Sequence, residues 1–568
     1  MNWRDEFVQY PPRSDGVTTY LAGSYCQKVD AACAETTELS GLFGQFIILR
    51  HDRGARTLVL MTDRFGMFPF YMAYDQQRIY LSTDFYQLAR KCDSQNSADL
   101  GALSDILAFN VPFGERTTSS KVTSFSGSAE VTIDLDTLAI RSRKLWNPVH
   151  LLAHADLRFD QVKDELVDLF LEGVRLATAG HETASVTLSG GADSRCLLAG
   201  SLHIGKVTFT YSTGVPGSRA LSYARRMADL CGVHASIRPL DESFVAGFGS
   251  LMQECSNTQQ GMSFSSELEA MWLRQGVAPD GVLLHGGFAE LYKIGKMHNY
   301  HFDSKLKGMR GDAVCEHLWQ RFAKRYEQRK QCFGPAYRAA LGHQSREHLA
   351  DKVRHYQAEL DTPGVLQMVY IDEFLGKVVK SSWQMWRQRI PTLFPFAYPP
   401  LVDLILRVRS SDKVGNDFVV HLLKRTNQRL ARFPDSNTGV RIGASWARRE
   451  AVHVIDYAAK RLFAPKRAFD HQDFSHWLSS MPVNLDDLFD GLQAENSGFD
   501  MSHVRRLIRD CRAGNDMASR TLHILWSWSL VNRERLVGSN DNPGREKPTA
   551  TIAVPQQVLD KAICATAL

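Results

Sequence analysis

The sequence predicts a mixed α/β protein: a β-rich N-terminal domain over residues 1–150, a parallel α/β domain over 151–535 whose later part is helical, and a loose tail over 536–568. Three observations predict this. Short apolar runs separated by turn residues fill the first part. Long amphipathic patterns begin at about Phe159. Further on, apolar strand-like segments alternate with helical ones. A chain of 568 residues is also too long for one compact core.

The elements follow in order. "GLFGQFIIL", "TLVLMTD", "FPFYMAYD" and "RIYLSTD", between Gly41 and Asp84, read as strands. "FDQVKDELVDLFLEGVRLAT", from Phe159, carries apolar residues at helical spacing and sets the boundary near 150. The apolar stretch before Ser189, "KVTFTYS" at Lys206 to Ser212 and "DGVLLHGG" at Asp280 to Gly287 alternate with helices, as in a parallel sheet covered by helices. "GSNDNPGREKPTATIAVPQQ" is polar and proline-bearing, hence the tail. No internal repeat is present.

Composition excludes several classes. Hydrophobic content of 44% and charged content of 23% are those of an ordinary globular enzyme. A net charge of +5, with basic residues scattered apart from clusters such as "RRLIRDCR" near Arg505, calls for no nucleic-acid partner. Ten cysteines without a CxxC pair argue against a disulfide framework or a zinc site and for a reducing, cytoplasmic setting. "MNWRDEFVQY" is charged where a signal peptide is apolar, and no apolar run approaches the ~20 residues that span a bilayer, so no membrane partner is expected.

The most informative stretch is "SVTLSGGADSRCLLAG", Ser185 to Gly200. It reads as strand, tight loop, helix. Adjacent glycines after a strand let backbone N–H groups approach an anion, and the following helix points its positive end at the same place. Ser189 and Ser194 add hydroxyls, and Asp193 a carboxylate suited to magnesium. The missing GK[ST] argues against an ordinary triphosphate loop. The bland reading is a glycine turn with Asp193 or Ser194 as helix cap.

The string S-G-G-x-D-S resembles the pyrophosphate (PP) loop of the ATP-pyrophosphatase superfamily, and the surrounding chain resembles asparagine synthetases. Phe43 to Arg90 is similar to that family's glutaminase domain, with Asp63, Arg64, Gly66 and Pro69 matching its "RDxxGxxPxYY" pattern. "LAFNVPFGERTTSSKVTSF" with "KLWNP" matches the end of that domain, and "GVPGSRALSYARRMADLCGVH" the segment after the second strand of the next. The resemblance implies an Ntn-hydrolase-like β-rich sandwich followed by a PP-loop parallel α/β synthetase domain. It also implies ATP and Mg²⁺ as cofactors. The nucleotide would be bound by Leu188, Ser189, Gly190, Gly191, Asp193, Ser194, Thr213, His285 and Gly286.

"LLHGGFAELYKIG", Leu283 to Gly295, resembles the family's "LLSGEGADELFGG", which puts Glu290 at its second magnesium carboxylate. Asp193 and Glu290 would share the metal; a plain surface glutamate is the other reading of Glu290. "LLKRTNQRLARFPDSNTGVRIG" resembles the late basic region, with Arg441 nearest to the family's cation and Lys424 and Arg425 on the preceding helix. Asp193, Glu290 and Arg441 are therefore the expected catalytic residues.

Departures narrow the function. Glutamine-dependent members carry a cysteine directly after the initiator methionine; here Asn2 stands there, and the first cysteine is Cys26. No glutaminase nucleophile is expected. Gly287 stands where the family has its catalytic glutamate, and Pro391, just before "TLFPFAYPPLVDLIL", where it has another. The glutaminase-dead pattern is similar to β-lactam synthetases and lasso-peptide macrolactam cyclases, although the tyrosine–glutamate pair of the former is absent.

The chemistry implied is an amide ligation that adenylates a carboxylate, in its most specific form on a precursor peptide, and couples it to an amine, releasing AMP and pyrophosphate. A partner protease or leader-binding protein would accompany a lasso system. The alternatives are an amidotransferase acting on a surface polysaccharide or small molecule with an external amine, a non-catalytic nucleotide-binding scaffold, and a nucleic-acid-modifying enzyme.

Overall fold

A computed structural model describes residues 2–9, 16–26, 41–74, 78–92, 97–293, 306, 308–413, 415–436, 439–445, 448, 451–452, 454–455, 473–494 and 498–536. The tail expected from 536 lies, beyond that residue, outside the described residues. No helix among them is long and apolar enough to cross a membrane.

The first nine strands are β1 (Asn2–Gln9), β2 (Val17–Tyr25), β3 (Gly44–Asp52), β4 (Thr57–Thr62), β5 (Tyr71–Tyr74), β6 (Ile79–Ser82), β7 (Val122–Ser124), β8 (Ala129–Asp134) and β9 (Ile140–Lys144). They form a six-stranded antiparallel sheet, β1-β2-β3-β4-β8-β9, and a three-stranded one, β6-β5-β7. The strands expected between 41 and 84 are β3 to β6. Of the others, β9, "IRSRK", is exposed along its whole length, so it carries no apolar alternation. β3 is covered on both faces. Ile47 and Leu49 enter the main core while Phe46 and Ile48 enter a smaller cluster, as the two-residue period of a strand requires.

Asp63 organises the turn after β4. Its buried carboxylate accepts N–H groups from Phe46 (3.2 Å), Phe65 (3.1 Å), Met67 (2.9 Å) and Phe68 (2.9 Å). Gly66 adopts φ +64°, and Gly127 backbone lies where a Cβ would stand, so no side chain fits there.

The second layer system is parallel. β10 (Thr183–Thr187), β11 (Val207–Gly214), β12 (His234–Pro239), β13 (Val282–Leu284) and β14 (Thr392–Leu393) lie in the order β12-β11-β10-β13-β14. The expected helix is present as Phe159–Thr178, and the helices Ala192–His203 and Arg219–Cys231 make the first two crossovers. The chain therefore grows to one side of β10 through β12, then returns to its other side with β13. That reversal is a topological switch point, where open α/β sheets place their ligands. Beyond β14 the described chain is mainly helical.

The antiparallel and parallel parts are joined by partly buried polar contacts. Arg64 pairs with Asp403 at 2.5 Å and lies over the Trp146 ring, whose Nε1 donates to the same carboxylate at 3.0 Å. Phe65 stacks on Phe288, centroids 4.4 Å apart, just after β13. A cavity of 430 Å³ follows this joint, and its Lys352 and Lys377 are paired with Asp372 and Glu373.

Replacing Asp63 by Ala would leave those buried N–H groups without an acceptor. We expect Asp63→Ala to lose roughly 3 kcal/mol of unfolding free energy and Asp63→Asn less, measured by denaturant titration.

Candidate active site

Two loops emerge side by side at the carboxyl ends of β10 and β13, the strands that flank the switch point. The first is Leu188 to Gly191, leading into the helix Ala192–His203. Leu188 is buried and donates its N–H to Tyr211 at 2.8 Å, while its carbonyl accepts the Ser212 hydroxyl at 2.7 Å. Both bonds tie the loop to β11. Thr213, next along, spends its hydroxyl on Arg238 O of β12 at 2.7 Å.

The two glycines of the loop differ in what they do. Gly190 has φ +81°, and a Cβ there would stand 2.9 Å from Ser436 Cβ, so the turn requires glycine. Gly191 has ordinary extended angles (φ −81°, ψ −174°), and a Cβ on it would meet only Ser189 Oγ, at 3.4 Å. Its bare backbone leaves open space in front of the helix N-terminus. Ser189 and Ser194 face each other there, hydroxyl to hydroxyl at 3.3 Å, and Ser194 Oγ also accepts the Ser189 N–H at 3.3 Å.

Arg195 braces the loop from behind. It is fully buried, and its guanidinium donates to the carbonyls of Gly190 (3.1 Å), Leu430 (3.2 Å), Phe433 (2.7 Å) and Pro434 (2.8 Å). The 430–436 segment is thereby pinned beside the loop, where Ser436 N–H reaches Gly190 O at 3.3 Å. Arg441 pairs by its backbone with Pro434 and its side chain is exposed. Lys424 is exposed too, and Arg425 is used in ion pairs with Asp164 and Asp168.

The second loop runs from His285 to a single helical turn, Ala289–Tyr292. Gly286 lies against Asp193; a Cβ on it would stand 3.3 Å from Asp193 Cβ. Asp193 and Glu290 do converge, and a side chain unremarked in the sequence joins them: Lys293 Nζ is 2.9 Å from both oxygens of Asp193 and 3.3 Å from Glu290 Oε1. The two carboxylates hold the Lys293 ammonium well above its ordinary pKa, against the opposing effect of burial.

Among the described residues no group of three or more His, Cys, Asp or Glu could hold a metal by itself. Two carboxylates meeting at one cation fit a magnesium ion whose remaining ligands are phosphate oxygens and water. Lys293 and such an ion would compete for the same oxygens.

Gly287 stands where the resemblance puts a glutamate, and the space is taken: a Cβ would lie 2.5 Å from Val379 Cγ1 and 3.0 Å from the Phe394 ring. A different acidic group lies close by. Gly287 N–H donates to His285 Nδ1 at 3.0 Å, so the neutral imidazole keeps its proton on Nε2, 3.1 Å from Ser382 Oγ. Ser382 is hydrogen-bonded in turn to Glu267. Burial, then the neighbouring Glu269, pushes the Glu267 carboxyl up to about 8, while burial lowers His285 to about 4. This chain of groups can hold or pass a proton at the sheet's carboxyl edge. Lys293 and Glu267 sit in ordinary-looking sequence, and only the local charge pattern of "FAELYK" hinted at the first.

In the antiparallel part, Asp63, Arg64, Gly66 and Pro69 occupy the turn described above. Residues 17–146 match the glutamine amidotransferase domain. This amidotransferase-type region agrees with the asparagine synthetase resemblance of the N-terminal part. No curated protein matches the chain. Its first strand begins at Asn2, paired with Tyr25, and the half-buried Cys26 next to Tyr25 has its thiol pushed up by burial, away from the reactive thiolate. The cysteines among the described residues are all free.

Three outcomes follow. The chain should release no glutamate from glutamine above background in a coupled assay; release blocked by a thiol-directed glutamine analogue would assign a nucleophile elsewhere. Arg195→Met should lower stability by about 3 kcal/mol, read by denaturant unfolding, because four carbonyls lose the guanidinium and those of Phe433 and Pro434 lose a close donor. Glu267 binds more protons folded than unfolded between its ordinary pKa of 4.5 and about 8, so wild-type stability should fall across that range relative to Glu267→Gln in unfolding titrations at successive pH values.

Proposed function

We propose that the chain is an ATP-dependent carbon–nitrogen ligase that forms an acyl-adenylate and transfers the acyl group to an amine, releasing pyrophosphate and then AMP. One observation carries this reading: the Ser189-Gly190-Gly191 loop and the His285-to-Glu290 loop leave adjacent parallel strands at the switch point, with a helix N-terminus and an open glycine backbone between them. The amidotransferase-type N-terminal region supports an asparagine-synthetase-like enzyme of this broad kind.

In this reading a carboxylate oxygen of the substrate attacks the α-phosphorus of ATP, and the bond to the β-phosphate breaks. The N–H groups of the loop, the hydroxyls of Ser189 and Ser194 and the Lys293 ammonium take up the charge of the leaving pyrophosphate. Asp193 and Glu290 would hold a magnesium ion, which supplies charge neutralisation on the phosphates. The amine then attacks the acyl carbon, AMP leaves, and the proton lost by the amine passes to the chain formed by His285, Ser382 and Glu267 in place of the missing glutamate. Arg441, exposed on the neighbouring segment, is left as a cation for the nucleotide. The acyl donor is a carboxylate substrate, with a precursor peptide closed into a lasso-type macrolactam as the most specific form. A scaffold that binds nucleotide without turnover is the second reading, favoured by the filled space at Gly287.

Exchange of labelled pyrophosphate into ATP separates the two. With the correct carboxylate, wild type should exchange before any amine is added, and the nucleotide product should be AMP. Gly191→Val should abolish exchange with little change in melting temperature, since a side chain there meets no wall. Gly190→Val should lose both exchange and stability. Formation of ADP would overturn the adenylation chemistry.

A further inference from the structure

The segment that leads into Glu267 also walls a separate cavity of 380 Å³. Ser266 lies on one side. Arg325 and Arg329, on the helix Asp312–Lys330, and Asp516, Arg520 and His523, on the helix Asp516–Leu536, close the others.

Among the described lining residues stand three guanidiniums and one carboxylate, and Arg520 Nε donates to that carboxylate, Asp516 Oδ2, at 2.7 Å. Arg329 is only 3% exposed, yet its guanidinium has neutral acceptors alone, Leu107 O at 2.7 Å and Asn110 Oδ1 at 3.0 Å. Its Nε has no partner among the described residues, and neither do His523 Nε2, on a side chain 3% exposed, or Ser266 Oγ. Burial, and then the adjacent Arg325, lower the pKa of Arg329 to about 10. A buried charge is ordinarily paired, and orphaned buried donors are costly.

The approach to the cavity has the same sign. Arg321, Arg325 and Arg329 recur at four-residue spacing on one helix face. A neighbouring cavity of 540 Å³ shares Arg325 and adds Arg321, Arg506 and His503, with Asp510 as its acidic member.

We propose that this cavity is a binding site for a small oxyanion, a phosphate or a carboxylate, held by the Arg325, Arg329 and Arg520 cluster. The planar guanidinium fork matches either anion bidentately, and the volume lies within the range of small-ligand pockets. The site is distinct from the Ser189–Ser194 loop, and the inference does not rest on the ligase reading.

Isothermal titration of the full chain tests it, with inorganic phosphate and succinate in separate arms at constant ionic strength. Gly191→Val serves as the background, so that the glycine loop contributes no anion binding. One saturable site is expected with either anion, at a Kd of about 1 mM or tighter. Arg325→Gln, at an exposed position, and Arg520→Gln should each weaken it about tenfold without lowering the melting temperature by more than a few degrees. Phosphate alone or succinate alone would name the ligand class and support the site. No saturable heat with either anion up to ~20 mM, or unchanged affinity in both variants, would overturn the proposal.

Discussion

The buried guanidinium of Arg195 is the contact on which the candidate site depends. A charge in the interior must be met by acceptors, and here these are four backbone carbonyls, one from the glycine loop and three from the 430–434 segment. A trans peptide points its N–H opposite to its carbonyl. Drawing Gly190 O inward therefore turns the Gly191 N–H outward, toward Ser189 Oγ and the open space before the helix. The same guanidinium fixes a segment more than two hundred residues away beside the loop, so one side chain sets both the direction of the loop's donors and the identity of its neighbour.

The N-terminal part enters through its own buried charge. Asp63 folds the turn that presents Arg64 and Phe65, and these two reach Asp403 and Phe288 in the parallel part. Phe288 follows the loop that carries His285 to Gly287. The residues that match the amidotransferase pattern thus brace the second loop, a structural part independent of any glutamine chemistry.

Between the two loops, electrostatics replaces covalent rigidity. Asp193 and Glu290 would repel one another across the cleft, and the Lys293 ammonium joins them. At Gly287 the balance is steric instead: Val379 and Phe394 fill the place of a longer side chain, and the nearest proton-holding groups are His285, Ser382 and Glu267, which come from three separate stretches of chain.

The sequence by itself determined the parts that local rules govern. Two-residue and helical periodicities gave β3 to β6, the helix Phe159–Thr178 and the strand–loop–helix around Ser189, because each is decided by neighbours within a few residues. The pairing of Asp193 with Glu290 was legible only through the family resemblance of their two segments, each of which opens a helical turn after a strand. Edge strands such as β9, with no buried face, left no such pattern. Tertiary structure alone decided the rest. Lys293 between the carboxylates, Arg195 under the loop, the distinct duties of Gly190 and Gly191, and the partnership of Glu267 with Ser382 and His285 all depend on which distant segments are packed together. Burial and proximity across the chain set their chemistry, and neither is written in residue spacing.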